Sequence, residues 1–155
     1  MNQKWRARYM NLALEVADFS EDDSTKVGSY IVNPNTNRPV SFGYNGMPSG
    51  VHNNPDRYQR PVKYFYFEHA ERNAIYNADR QLDDMAIFVT HTPCADCTRA
   101  IIQNRITSVY VLKDHGFYSI WTQERYTLEH RQAIHSMLSE AGIKVFEITR
   151  EGVLA

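Results

Sequence analysis

Apolar residues recur at helical spacing from the start of the chain. Trp5, Tyr9, Leu12, Ala13, Val16 and Ala17 fall on one face, and the acidic run Glu21-Asp22-Asp23 ends the pattern. This predicts a first helix. β-Branched and aromatic residues then dominate two short runs, residues 27–32 and 40–44. The connection between them opens Asn33-Pro34-Asn35-Thr36-Asn37, turn-rich and suited to an antiparallel hairpin. From residue 45 to about 61 no period holds, and a loop of that length in a compact domain is usually functional or a lid. A helix is predicted over 68 to about 78, a strand over 86–90, a helix over 95–104 and a strand over 108–112. Strand, helix, strand implies a parallel pair with a right-handed crossover. Ile134, Met137, Leu138 and Ala141 mark a last helix that Gly142 stops, and residues 144–148 read as a final strand. The fold class expected is α/β: three α/β/α layers around a five-stranded mixed sheet, in a single domain over residues 1–155.

Composition narrows the class. At 155 residues the chain is long enough to bury a core without disulfides or metals as staples. It is 43% hydrophobic and 23% charged, and no apolar run approaches the ~20 residues of a membrane span. Lys4, Arg6 and Arg8 near the N-terminus are followed by no apolar stretch or small-residue cleavage site, so no secretory signal is expected. Both cysteines sit in one motif, which leaves none for a structural disulfide and fits a reducing, cytoplasmic setting. A formal net charge of −1 argues against a protein that neutralises many phosphates of a long polynucleotide. One or two basic residues suffice for a mononucleotide.

Two clusters carry the chemistry: His69-Ala70-Glu71, and twenty-one residues further on Thr92-Pro93-Cys94-Ala95-Asp96-Cys97. A structural zinc fills four tetrahedral positions with protein, whereas His69, Cys94 and Cys97 offer three. The open position would take a water whose ionisation moves close to neutral pH. Glu71 lies about 200° around a helix axis from His69, so it is poorly aimed at the same metal and well placed beside the water. There it can move protons as a general acid and base. In this layout two helix N-termini face the metal and favour thiolates. Other readings of the same residues are a redox C-x-x-C pair and a structural zinc completed by His91 or His115. Asn45, in an Asn-Gly pair, reads equally as a turn residue. His52, His130 and His135 read as surface or packing residues.

H-x-E followed by P-C-x-x-C is the signature of the zinc nucleobase deaminases, in which the Glu is not a ligand. Four segments resemble one branch of them, the deoxycytidylate (dCMP) deaminases: Ser24-Thr25-Lys26-Val27-Gly28, Gly43-Tyr44-Asn45-Gly46-Met47-Pro48-Ser49-Gly50, Glu68-His69-Ala70-Glu71-Arg72-Asn73-Ala74-Ile75 and Pro93-Cys94-Ala95-Asp96-Cys97. The resemblance implies hydrolytic deamination of dCMP to dUMP and ammonia on one catalytic zinc, feeding dTMP synthesis. Water would attack C4 while Glu71 protonates N3. By motif position, the Ala70 N–H would meet the pyrimidine O2 and Asn45 the sugar 3′-hydroxyl, with Ser24 and Lys26 candidates for the 5′-phosphate. The family also implies activation by dCTP and inhibition by dTTP, Mg2+ accompanying a triphosphate effector, and a homohexamer. Gly43, Tyr44, Asn45, Gly46, Pro48 and Gly50 would form the effector region, helped by Arg80. No nucleic-acid or membrane partner is expected. Two segments depart from the family pattern, Val51-His52-Asn53-Asn54-Pro55 and Lys113-Asp114-His115-Gly116-Phe117-Tyr118-Ser119-Ile120-Trp121, and both bear on phosphate and effector contacts rather than on the metal. The rival readings are a deaminase for another cytosine nucleoside or nucleotide or for a tRNA adenosine, and a non-enzymatic module that keeps the metal.

Overall fold

The structure is a computed structural model that describes residues 1–149. Helix α1 (Gln3–Ala17) starts where the Asn2 side chain accepts the Trp5 N–H at 3.1 Å, satisfying one of the unpaired amides of a first turn. Strands β1 (Gly28–Asn33) and β2 (Arg38–Tyr44) form the antiparallel hairpin. Helices α2 (Lys63–Tyr66) and α3 (Ala70–Tyr76) follow the long loop. Strand β3 (Ala86–Val89), helix α4 (Ala95–Gln103) and strand β4 (Ser108–Leu112) make the parallel unit. Helices α5 (Ile120–Arg125) and α6 (Leu128–Glu140) precede strand β5 (Lys144–Ile148).

The five strands stand in the order β2-β1-β3-β4-β5, with β1 antiparallel to both neighbours and β3, β4 and β5 mutually parallel. Period-2 alternation splits the apolar residues between two faces. Ile87, Val89, Val109 and Val111 pack with Ala74 of α3, Ile101 of α4 and Ile134 and Leu138 of α6. On the other face Ala86, Phe88, Tyr110 and Leu112 pack under Tyr9, Met10 and Ala13 of α1. The three-layer α/β/α fold with a mixed sheet is as expected. Among the described residues no helix is long and apolar enough to cross a membrane.

Two glycines set how closely the helices lie on the hairpin. A Cβ on Gly28 would stand 1.9 Å from the Ala13 carbonyl oxygen of α1, and one on Gly43 would stand 2.4 Å from the Ala74 nitrogen of α3. Both obstacles are backbone, so neither can swing aside. Gly28→Ala is therefore expected to cost about 1–3 kcal/mol by overpacking, read as a lowered denaturation midpoint at unchanged m-value.

The sequence reading starts the third helix at residue 68; the structure starts it at Ala70. Glu68 is held extended by a two-way bridge to Gly46, with Gly46 N–H to Glu68 O at 3.1 Å and Glu68 N–H to Gly46 O at 2.8 Å. That bridge ties together the ends of the irregular segment, which itself contains a 3-10 turn at Pro55–Tyr58 and the one-turn α2. Helix α5 has no counterpart in the sequence reading. It is too short for a helical period and is started by the Ser119 hydroxyl accepting the Thr122 N–H at 3.2 Å.

Candidate active site

His69 and Cys94 occupy equivalent places in the fold, each the residue before the first turn of a helix. Both have extended backbone there, which turns their side chains toward the gap between α3 and α4. Cys97 sits in the first turn of α4, and its N–H donates to Cys94 Sγ at 3.5 Å. The two helix starts are linked from outside by Arg72, which pairs with Glu68 at 2.6 Å and reaches Asp96 at 3.8 Å. Glu68 also accepts the His69 N–H at 2.9 Å, so the bridge residue orients the ligand next to it.

His69 Nδ1 lies 3.5 Å from Cys94 Sγ and 3.4 Å from Cys97 Sγ. Ordinary zinc–nitrogen and zinc–sulfur bonds at a tetrahedral angle put N and S about 3.6 Å apart. The three donors therefore stand where a zinc ion needs them. Among the described residues they form the one such group, and His91 and His115 stack on each other at 4.1 Å instead of joining it. Among the described residues no fourth ligand closes the site.

Without metal, the donors share protons. A hydrogen bond from the Cys97 thiol, aided by His69 and opposed by burial, lowers the Cys94 pKa to about 4. The same contact and burial push Cys97 up, and the Cys94 thiolate pulls His69 up. Zinc displaces those protons, so its affinity should rise with pH. Because neither apolar cluster includes a metal donor, removing zinc with a chelator is expected to abolish turnover and leave the fold in place. Far-UV circular dichroism should stay within a few per cent, and added zinc should restore activity.

Glu71, 4% exposed, is in the first turn of α3 and lines the same cavity as His69 and Cys94. Burial raises its pKa first of all, with the Cys94 charge adding to the rise and His69 opposing it. The cavity is about 700 Å³. Thr25, Val27 and Asn45 line it from the hairpin side, Arg60 and Tyr64 from the long loop, and Trp121 and Arg125 from α5. Arg60 lies over the Tyr64 ring at 6.0 Å and Arg125 over Trp121 at 4.5 Å.

Asn45 is a structural knot as well as a cavity residue. Its Oδ1 accepts the Val27 N–H at 2.8 Å, and its Nδ2 donates to Thr25 O at 2.9 Å and Asp22 Oδ2 at 3.4 Å. Asp22 in turn holds Lys63 at 2.6 Å with both side chains buried. Ser24, whose hydroxyl donates to Asp22 and accepts from Lys63, lies with Lys26 in an adjoining recess of about 440 Å³. Thr25, His91, Trp121 and Arg125 line both spaces. Gly43, Tyr44, Asn45, Gly46 and Pro48 border a further cavity of about 400 Å³, which shares Asp22, Asn45 and Phe67 with the first. Gly50 takes a left-handed turn beside it, with φ at 81°. Arg80 is exposed and donates to the Gln81 carbonyl.

Sequence reasoning gives no functional role to Asp22, Arg60, Lys63, Arg125 and Tyr126. None sits in a motif whose spacing signals chemistry.

A family model described as the cytidine and deoxycytidylate deaminase zinc-binding region matches residues 3–113. A protein of Aliivibrio fischeri described as an uncharacterized deaminase in luxG 3'region is 40% identical over 146 residues, 94% of each chain. Deoxycytidylate deaminase of Homo sapiens is 35% identical over 118 residues, 72% of this chain and 66% of the human one. This chain thus spans just under two thirds of that relative's length. A dCMP deaminase of the cyanophage S-TIM5, solved with dCMP and dUMP, matches with a TM-score of 0.73 and 26% identity over 96% of this chain and 99% of the other. The matched region contains the three metal donors and Glu71, so the chain belongs to the cytidine and deoxycytidylate deaminase family and is a zinc-dependent deaminase.

Proposed function

We propose that this deaminase acts on dCMP, releasing ammonia and dUMP. The observation that carries the reading is one cavity holding the metal donors His69 and Cys94 and buried Glu71, with an arginine brought in from each of two separate segments, Arg60 and Arg125. The match to a phage enzyme solved with dCMP and dUMP supports it. Zinc, when bound, supplies an acidified water at its open position.

Glu71 then does the proton work. Its carboxylate takes a proton from water as the oxygen bonds to C4 and passes that proton to N3; it then takes the second proton from the new C4 hydroxyl and gives it to the 4-amino group, so that the C4 carbonyl forms, the C4–N bond breaks and ammonia leaves. Burial favours the neutral carboxylic acid, which helps Glu71 hold the proton between steps. Ala70 occupies the first position of α3, where a backbone N–H has no acceptor within the helix and is available to the pyrimidine O2. Asn45 has both amide hydrogens engaged, which leaves one lone pair on Oδ1. A sugar hydroxyl must therefore donate to it.

The phosphate falls to the guanidinium groups. Each lies over an aromatic ring, a contact that consumes none of its N–H donors. Arg125 borders both the main cavity and the recess of Ser24 and Lys26, so a phosphate held there is within the reach of both sets. Occupation of the neighbouring cavity by dCTP or dTTP would act through the shared Asp22, Asn45 and Phe67 wall.

Arg125→Ala is expected to raise KM for dCMP about 10- to 100-fold, the range of a lost charge-assisted hydrogen bond, and to leave deoxycytidine turnover unchanged. Steady-state ammonia release on both substrates measures it. Equal loss on both would remove Arg125 from phosphate binding.

A further inference from the structure

The peptide units on both sides of Cys94 are held by the short segment that joins α5 to α6. Tyr126 donates its hydroxyl to the Thr92 carbonyl at 3.0 Å. His130, in the first turn of α6, accepts the Ala95 N–H on Nε2 at 2.9 Å. The Tyr126 and His130 rings lie 4.6 Å apart, so the two contacts brace each other. Thr127 fixes the backbone between them by accepting the His130 N–H at 3.1 Å, and Arg131 donates back to the Tyr126 carbonyl at 3.3 Å.

We propose that Tyr126 and His130 are positioning residues for Cys94, a clamp that sets the direction of its Sγ for metal. The Ala95 N–H opens α4 and has no acceptor within the helix, so without His130 it must find water or draw the turn aside. The Thr92 carbonyl, two residues before Cys94, depends on Tyr126 in the same way. Residues behind a metal ligand commonly govern affinity by 10- to 100-fold. Here the support runs through the backbone of the ligand's neighbours, because Cys94 Sγ itself is taken by His69 and Cys97.

The inference rests on the metal site and is independent of the substrate. Zinc affinity is measured by competition with a chromophoric chelator on the full chain. The thiolate-to-cobalt and d–d bands of the Co2+-loaded protein report ligand geometry. His130→Ala is expected to weaken zinc about 10- to 100-fold and to shift the cobalt bands, while His130→Gln, whose amide oxygen reaches the Nε2 position, restores most of both. Tyr126→Phe keeps the ring contact and loses the hydroxyl. It is expected to weaken zinc by a smaller factor, and it provides the test should His130→Ala fail to fold. Wild-type affinity and cobalt bands in His130→Ala, or in Tyr126→Phe where the alanine variant does not fold, would overturn the clamp. A wild-type protein that binds zinc with these dependences but ignores dCMP would overturn the substrate reading alone.

Discussion

Glu71→Gln is expected to bind zinc as the wild-type protein does and to lose about 10²- to 10⁴-fold in kcat. Glutamine keeps the size and hydrogen-bonding capacity of the side chain but cannot carry a proton from water to N3 and on to the amine. Zinc retention follows from the geometry, since His69, Cys94 and Cys97 make up the donor group without Glu71. Substrate affinity should change little, so the loss falls in kcat rather than KM. Metal analysis and steady-state kinetics on one preparation measure both halves. A variant that turns over normally would remove Glu71 from the proton path, and one that loses zinc would make it a ligand.

Lys63→Met is expected to cost about 3–5 kcal/mol of stability, because it leaves Asp22 buried without its cation. The double variant Asp22→Asn with Lys63→Met should recover part of that loss, since no uncompensated charge remains. In the wild-type chain, burial alone would raise the Asp22 pKa. It is outweighed by the hydrogen bond and charge of Lys63 and by Ser24, so the carboxyl titrates below its ordinary value. A depressed carboxylate contributes its full stability above its unfolded pKa of about 3.9 and loses it as pH falls through the folded value. With Lys63 removed, its hydrogen bond and charge no longer lower the folded pKa, which rises with Ser24 left to oppose burial. Lys63→Met should therefore lose less of its stability than the wild type does on acidification from about pH 5 toward 3. Denaturation midpoints across that range separate the two behaviours.

Much of this was legible in the residues, for identifiable reasons. Strands β3 and β4 were readable because burial on two faces gives continuous apolar runs bounded by polar turns. The metal motif was readable because His69 with Glu71, and Cys94 with Cys97, each lie within one helix turn, where spacing alone dictates proximity. Asp22 with Lys63, and Ala95 with His130, were not. Lys63 reaches Ser24, itself bonded to Asp22, across 39 residues and His130 reaches Ala95 across 35, and no local pattern encodes a partner at that distance. His130 reads from sequence as a packing residue, and its position supports that in part, with its ring against Tyr126. Its hydrogen bond to Ala95 depends on the approach of α6 to α4, which only the assembled fold supplies. Asn45 marks the boundary between the two kinds of reading. The structure makes no turn at Asn45-Gly46, where Gly46 is drawn into the bridge with Glu68; the Asn45 amide instead ties the Val27 N–H, the Thr25 carbonyl and Asp22, and borders the space where a ligand would sit.

The most direct test of the central claim is ammonia release from dCMP by the zinc-loaded protein, with deoxycytidine as comparison and dCTP present or absent. Turnover of dCMP that exceeds that of the nucleoside by about 10-fold or more in kcat/KM is the expected result, and stimulation by dCTP would extend it to the neighbouring cavity. Zinc-bound protein that is silent on dCMP, or that treats nucleotide and nucleoside alike, would contradict the account.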